Sequence, residues 1–150
     1  MALWIPLFAI GTALHELLHA VAVLLLGSRP VLVLRPWPFA LLPVTTTGVH
    51  IQPVPYFDPT RQFLDNLAGP GLAAALLGLV ALTLPQGPLR LAAFATVLGL
   101  VFYAVIEPAY VVLDGRLDVD FLATPEVNYG VPILLALAFA GIGSIRKAAR

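Results

Sequence analysis

The sequence contains no cysteine. Disulfides and thiolate–metal sites are therefore excluded, and any metal ion must be held by histidine and carboxylate side chains. Charge is scarce as well. Asp, Glu, Lys and Arg make up 11% of the chain, against about a quarter in a soluble domain. Eight basic and eight acidic residues cancel, which leaves no footprint for nucleic acid. What fills the chain instead is apolar: 60% of residues are hydrophobic and the mean hydropathy is +0.96. Residues 1–150 read as one integral, multi-pass domain of a cell membrane, in contact with lipid and with room for about three to four spanning helices.

The first apolar run extends from about Leu3 to Leu26 and stops at Gly27-Ser28-Arg29-Pro30. No basic stretch precedes it, which argues against a cleaved signal peptide. Inside it stand His15-Glu16-Leu17-Leu18-His19. A helix sets residues four apart on one face, so the two histidines can share a metal ion. Glu16 is placed to act as the general base toward a metal-bound water. The same five-residue pattern recurs in soluble helices without a metal. In a membrane-length apolar run, however, three ionisable residues are expensive to keep, and metal binding supplies a reason for them.

After this run, Val31–Leu34 reads as a short strand and Val44–Gln52 as one or two more. Pro36, Pro38, Pro43, Pro53 and Pro55 limit them to short or edge strands. Such an apolar, non-helical segment is expected to dip into the membrane boundary or to cover the helices. A second helical segment starts near Asp58-Pro59-Thr60-Arg61, capped by Asp58 or Thr60, and continues across Ala68-Gly69-Pro70-Gly71 to Leu84. The turn Pro85-Gln86-Gly87-Pro88 leads to a third, Leu89–Leu113, containing Glu107-Pro108. A fourth, from about Gly130 to Ile145, is short for a full span, and Arg146, Lys147 and Arg150 suit an interface anchor. Ala73, Ala74, Ala75, Gly78, Gly141 and Gly143 read as helix-packing positions. Arg29, Arg35, Arg61 and Arg116 on one side balance Arg90, Arg146, Lys147 and Arg150 on the other, so charge leaves the orientation open.

Two histidines make an incomplete site, because catalytic zinc takes three protein ligands and an open position. His50, Glu107 and Asp114 are the candidates for the third. His50 lies in a strand-like polar stretch and is expected to face solvent or headgroups. Asp118 and Asp120 read as solvated charges. With alternating spans, the third segment runs parallel to the first, which brings Asp114 to the same side as the histidines, with Gly115 allowing a sharp turn. Glu107 lies two turns earlier, roughly 10 Å along the axis. Asp114-Gly115 also has a plain reading as a helix-ending turn.

The order of these motifs resembles the site-2 protease family of intramembrane zinc metalloproteases. That family places H-E-x-x-H in its first core helix, then a β-rich loop, an Ala-Gly-Pro helix, and a helix ending in Leu-Asp-Gly. Here His15-Glu16-Leu17-Leu18-His19, the Thr/Val-rich stretch, Phe63-Leu64-Asp65-Asn66-Leu67-Ala68-Gly69-Pro70 and Leu113-Asp114-Gly115 follow in that order, over about residues 8 to 117. The resemblance implies zinc (Zn2+) held by His15, His19 and Asp114, with Glu16 as the catalytic base. It also implies a transmembrane segment of another protein as substrate. The chain departs from the family in Val105–Val112, where an Asn and paired prolines are common, and in Gly71-Leu72-Ala73, where an Asn is. Both bear on substrate positioning and oxyanion stabilisation. The loop Pro85–Pro88 is too short for the PDZ domain that some members carry.

The expectation is therefore an all-α membrane protein with three core transmembrane helices, a fourth helix, and a short β-rich membrane-associated loop after the first. Its expected activity is zinc-dependent intramembrane endoproteolysis, with an edge strand in Val44–Gln52 pairing with the extended substrate. Two rivals differ in chemistry: a metal-binding membrane protein without protease activity, and a transporter component in which His15, Glu16 and His19 form an ion path.

Overall fold

The computed structural model describes residues 3–39, 43, 45–113 and 124–148, with the backbone alone at 46 and 143–148. The described chain is mostly helical: α1 (Trp4–Leu25), α2 (Pro59–Thr83), α3 (Pro88–Leu113) and α4 (Pro125–Ala148), with strands β1 (Arg29–Pro38) and β2 (Thr45–Val54) between the first two. All four helices are long and apolar enough to cross a membrane.

The end of α1 is built by Gly27, whose φ of 85° lies in the left-handed region that glycine enters without a Cβ penalty. Its N–H donates to the carbonyl of Leu24 at 3.1 Å, and that of Ser28 to Val23 at 3.0 Å. These two bonds satisfy last-turn carbonyls in a Schellman arrangement and turn the chain into β1.

The strands are longer than the prolines suggested, and the register explains why. β1 and β2 pair antiparallel with Pro30 opposite Pro53, Pro36 opposite Thr47 and Pro38 opposite Thr45. All four prolines therefore share one parity. Pro30 and Pro53 have no N–H to exchange, so theirs is a non-hydrogen-bonded pair, and the alternation makes every second pair the same. In a two-stranded sheet those positions aim their N–H groups outward, where proline loses nothing. Leu32 opposite Ile51 belongs to this outward set.

α2 opens on Asp58, whose Oδ1 accepts from the N–H groups of Thr60 (3.0 Å) and Arg61 (3.1 Å), with Pro59 in the first turn. Such a cap is worth about 1 kcal/mol. α2 then runs against α1: Gly11 lies near Leu77, and His19 near Gly69 and Asp65. α3 runs with α1, as expected. Gly11 lies beside Thr96 and Leu100, His15 beside Tyr103, and His19 beside Glu107. α2 and α3 share a core cluster of Ala73, Ala74, Leu77, Leu100 and Tyr103, and bury further small residues, Ala81 on α2 and Ala92, Ala93 and Ala95 on α3. Small side chains let the backbones approach closely. Of the other small residues read as packing positions, Ala75 is exposed and Gly78 and Gly141 have open space where a Cβ would stand.

α4 is not short. It begins at Pro125, five residues before the expected Gly130, because Pro125 sits at the first turn, where its missing N–H would have no partner anyway. Tyr103 ties it to α3 by donating its hydroxyl hydrogen to the carbonyl of Asn128.

Candidate metal centre

His15 and His19 lie on the buried face of α1, at 4% and 7% exposure. Their Nε2 atoms are 2.8 Å apart. Glu107, brought level by the parallel α1–α3 register, places one carboxylate oxygen 3.4 Å from Nε2 of His15 and 3.3 Å from Nε2 of His19. These three residues form a group able to hold a metal ion. The donor set suits that role. Two imidazoles and a carboxylate are a common zinc triad, and ligand atoms about 2.0–2.1 Å from one tetrahedral ion lie about 3.3 Å from each other. The two separations to Glu107 match that edge. The histidine pair sits at hydrogen-bond distance.

Glu107 was the second candidate in the sequence, and it is the one that the helix register delivers to both rings. Asp114, Asp118 and Asp120 lie outside the described residues. His50 is exposed on β2, edge-on to Trp37 at 6.0 Å between ring centres, and is not in the three-residue group.

α2 contributes what the sequence reading missed. Asp65, 1% exposed, accepts at Oδ1 from Nδ1 of His19 at 3.0 Å. The next residue, Asn66, donates from Nδ2 to the backbone carbonyl of Glu107 at 2.9 Å, and itself accepts from Gln62 Nε2 at 2.6 Å. Adjacent positions of one helix thus reach a ring on α1 and the backbone of α3. Gly69, one turn further along α2, makes room for the ring of His19, since a Cβ built there would overlap three of its atoms. The pattern Asp65-Asn66 followed by Gly69 was visible in the sequence, but nothing local to it indicated which neighbours it would meet.

Glu16 is half-buried, and its Oε2 accepts from the N–H of Ile51 at 3.1 Å. This is one of the outward N–H groups of β2. Glu16, His19, Asp65 and Glu107 line one side of a cavity of about 510 Å³, and Arg35, His50, Ile51 and Gln52 of the hairpin line the other. Arg35 Nη2 donates to Gln52 Oε1 at 3.1 Å, and Gln52 Nε2 to the hydroxyl of Tyr56 at 2.5 Å. The cavity therefore has ring and carboxylate donors on its helical wall and strand backbone with polar side chains opposite. Comparison with protein-family models, curated proteins and solved structures finds no match.

Proposed function

We propose that this chain is a multi-pass membrane protein and a zinc-dependent intramembrane endopeptidase of the site-2-protease kind. The observation that carries the reading is the convergence of His15, His19 and Glu107, with separations of 2.8–3.4 Å, beside a cavity lined by His19, Glu107, Glu16 and residues of β2. The order of sequence motifs supports the same reading. Exposed apolar side chains such as Ile5, Leu17, Leu24, Leu79 and Val105 suit contact with lipid.

His15, His19 and Glu107 would hold the ion. When bound, zinc supplies a Lewis acid that activates water and polarises a carbonyl. Glu16 takes the proton of the attacking water on its carboxylate and delivers it to the leaving amine. The outward carbonyls of β2, and the N–H of Ile51 once Glu16 releases it, receive an extended, locally unwound segment of a transmembrane protein by strand addition.

The test is zinc content and cleavage of a model transmembrane substrate by the full chain in detergent or lipid. Glu16→Gln keeps near-stoichiometric zinc and loses cleavage by about 10²–10⁴. His19→Ala loses both. Glu107→Gln loses zinc, whereas zinc lost in Asp114→Asn and kept in Glu107→Gln returns the third position to Asp114. Cleavage by Glu16→Gln at the parent rate overturns the hydrolytic mechanism. Tight zinc binding without cleavage by the parent favours a non-proteolytic metal protein, and zinc-independent ion transport favours the ion path.

A further inference from the structure

Asp65 is the most buried ionisable residue among those described, at 1% exposure. A carboxylate removed from water in this way costs several kcal/mol unless it is paired, and its hydrogen bond runs to His19 Nδ1 at 3.0 Å. An ionised carboxylate only accepts, so the proton of this bond belongs to Nδ1. Which imidazole nitrogen is free for a metal is set by the hydrogen bond made by the other one. On His19 the other one is Nε2, which faces His15 and Glu107. His15 offers an internal contrast. Its Nδ1 is buried without a hydrogen-bond partner among the described residues.

We infer that Asp65 is a positioning residue for His19, holding its Nδ1 proton and ring orientation so that Nε2 is the nitrogen presented to the three-residue cluster. What Nε2 then binds rests on the metalloprotease reading. The hydrogen bond itself does not. α2 therefore serves the site without supplying a ligand. Gly69 admits the ring and Asp65 fixes it, four residues apart on one helix face. A carboxylate whose only role was to fasten α2 to α1 would matter for folding and leave metal affinity unchanged in any variant that folds.

Two measurements on the purified full chain separate these roles. The first is nitrogen-15 NMR of labelled histidine in the metal-free protein. It is expected to show a deshielded His19 Nδ1 proton in the parent and in Asp65→Asn, whose Oδ1 still accepts, and none in Asp65→Leu. The second is zinc affinity by chelator competition. It is expected to fall 10–100-fold in Asp65→Leu, the usual effect of losing such a partner, and by less in the isosteric Asp65→Asn. Asp65→Asn preserves shape, so it keeps the test alive if Asp65→Leu fails to fold; in that case absence of the deshielded Nδ1 proton from both the parent and Asp65→Asn overturns the inference. An Nδ1 proton that persists in Asp65→Leu overturns it, and so does parent-like zinc affinity in that variant. A parent that binds no zinc yet shows the Nδ1 proton defeats the metalloprotease reading and leaves the assignment of Asp65 standing.

Discussion

The two walls of the cavity are built on opposite principles. On the helical wall, His19 and Asp65 are below 8% exposure; together with Glu107, and with His15 behind them, they meet side chain to side chain across three helices. On the hairpin wall, Arg35 and His50 are exposed, and the hairpin meets the helices through the backbone N–H of Ile51 on Glu16 and the ring of Trp37 beside that of Tyr129. A buried cluster with few alternative arrangements suits groups that must hold one geometry. A two-stranded sheet with free edges is marginally stable on its own and open to a further strand. The division matches the proposed chemistry: the fixed wall holds the ion, and the adaptable wall takes the substrate.

The largest expected effect lies on the fixed wall. Gly69→Ala puts a methyl group into the ring of His19. Overpacking of this kind costs about 1–3 kcal/mol, so zinc affinity should fall by about 5- to 150-fold, while secondary structure by circular dichroism is retained. Gly71→Ala, with open space at the same distance from Pro70, is the control and should bind zinc like the parent. Equal behaviour of the two variants would mean that the helical wall is as yielding as the hairpin.

A smaller effect is expected on the other wall. Ile51 occupies the proline-compatible parity of β2, so Ile51→Pro should preserve the hairpin and delete only the outward N–H. Losing one hydrogen bond, about 1 kcal/mol, predicts roughly a fivefold fall in kcat/KM for a transmembrane substrate, with zinc affinity unchanged. A loss as large as that of Glu16→Gln would make the hairpin part of the rigid site and erase the contrast.

The smallest effect is expected where the walls join. Asp58→Ala removes the cap that starts α2 after the hairpin. Thermal unfolding should report about 1 kcal/mol of lost stability, and zinc affinity should not change. A drop in affinity would show that fraying of the first turn of α2 reaches Asp65, two turns inward.

Most of what depends on neighbours along the chain is legible in the sequence. The helical placement of His15, Glu16 and His19, the stop at Gly27, the cap at Asp58 and the extended character of residues 31–38 and 45–52 all follow from local spacing or turn chemistry. Strand length was underestimated because proline was counted as an obstacle without its parity, which exists only once a partner strand sets the register. Glu107 and Asp65 meet His19 across 88 and 46 residues of sequence. Their roles come from which faces of three apolar helices turn together, and one helix's periodicity does not specify its rotation against another. The start of α4 was misplaced for a local reason: Pro125 was not used as a first-turn signal.

The distance in sequence between His19 and Glu107 is also a distance in time. A ribosome adds about 5–20 residues per second, so roughly 4–18 s pass between the synthesis of one and of the other, 88 residues later. Throughout that interval the emerging chain carries both imidazoles and Glu16 but lacks the carboxylate of α3. The cluster closes only when the third helix is in place beside the first. On the proposed reading, a newborn copy is thus chemically incomplete, and unable to cleave a membrane segment, until its third helix is in place.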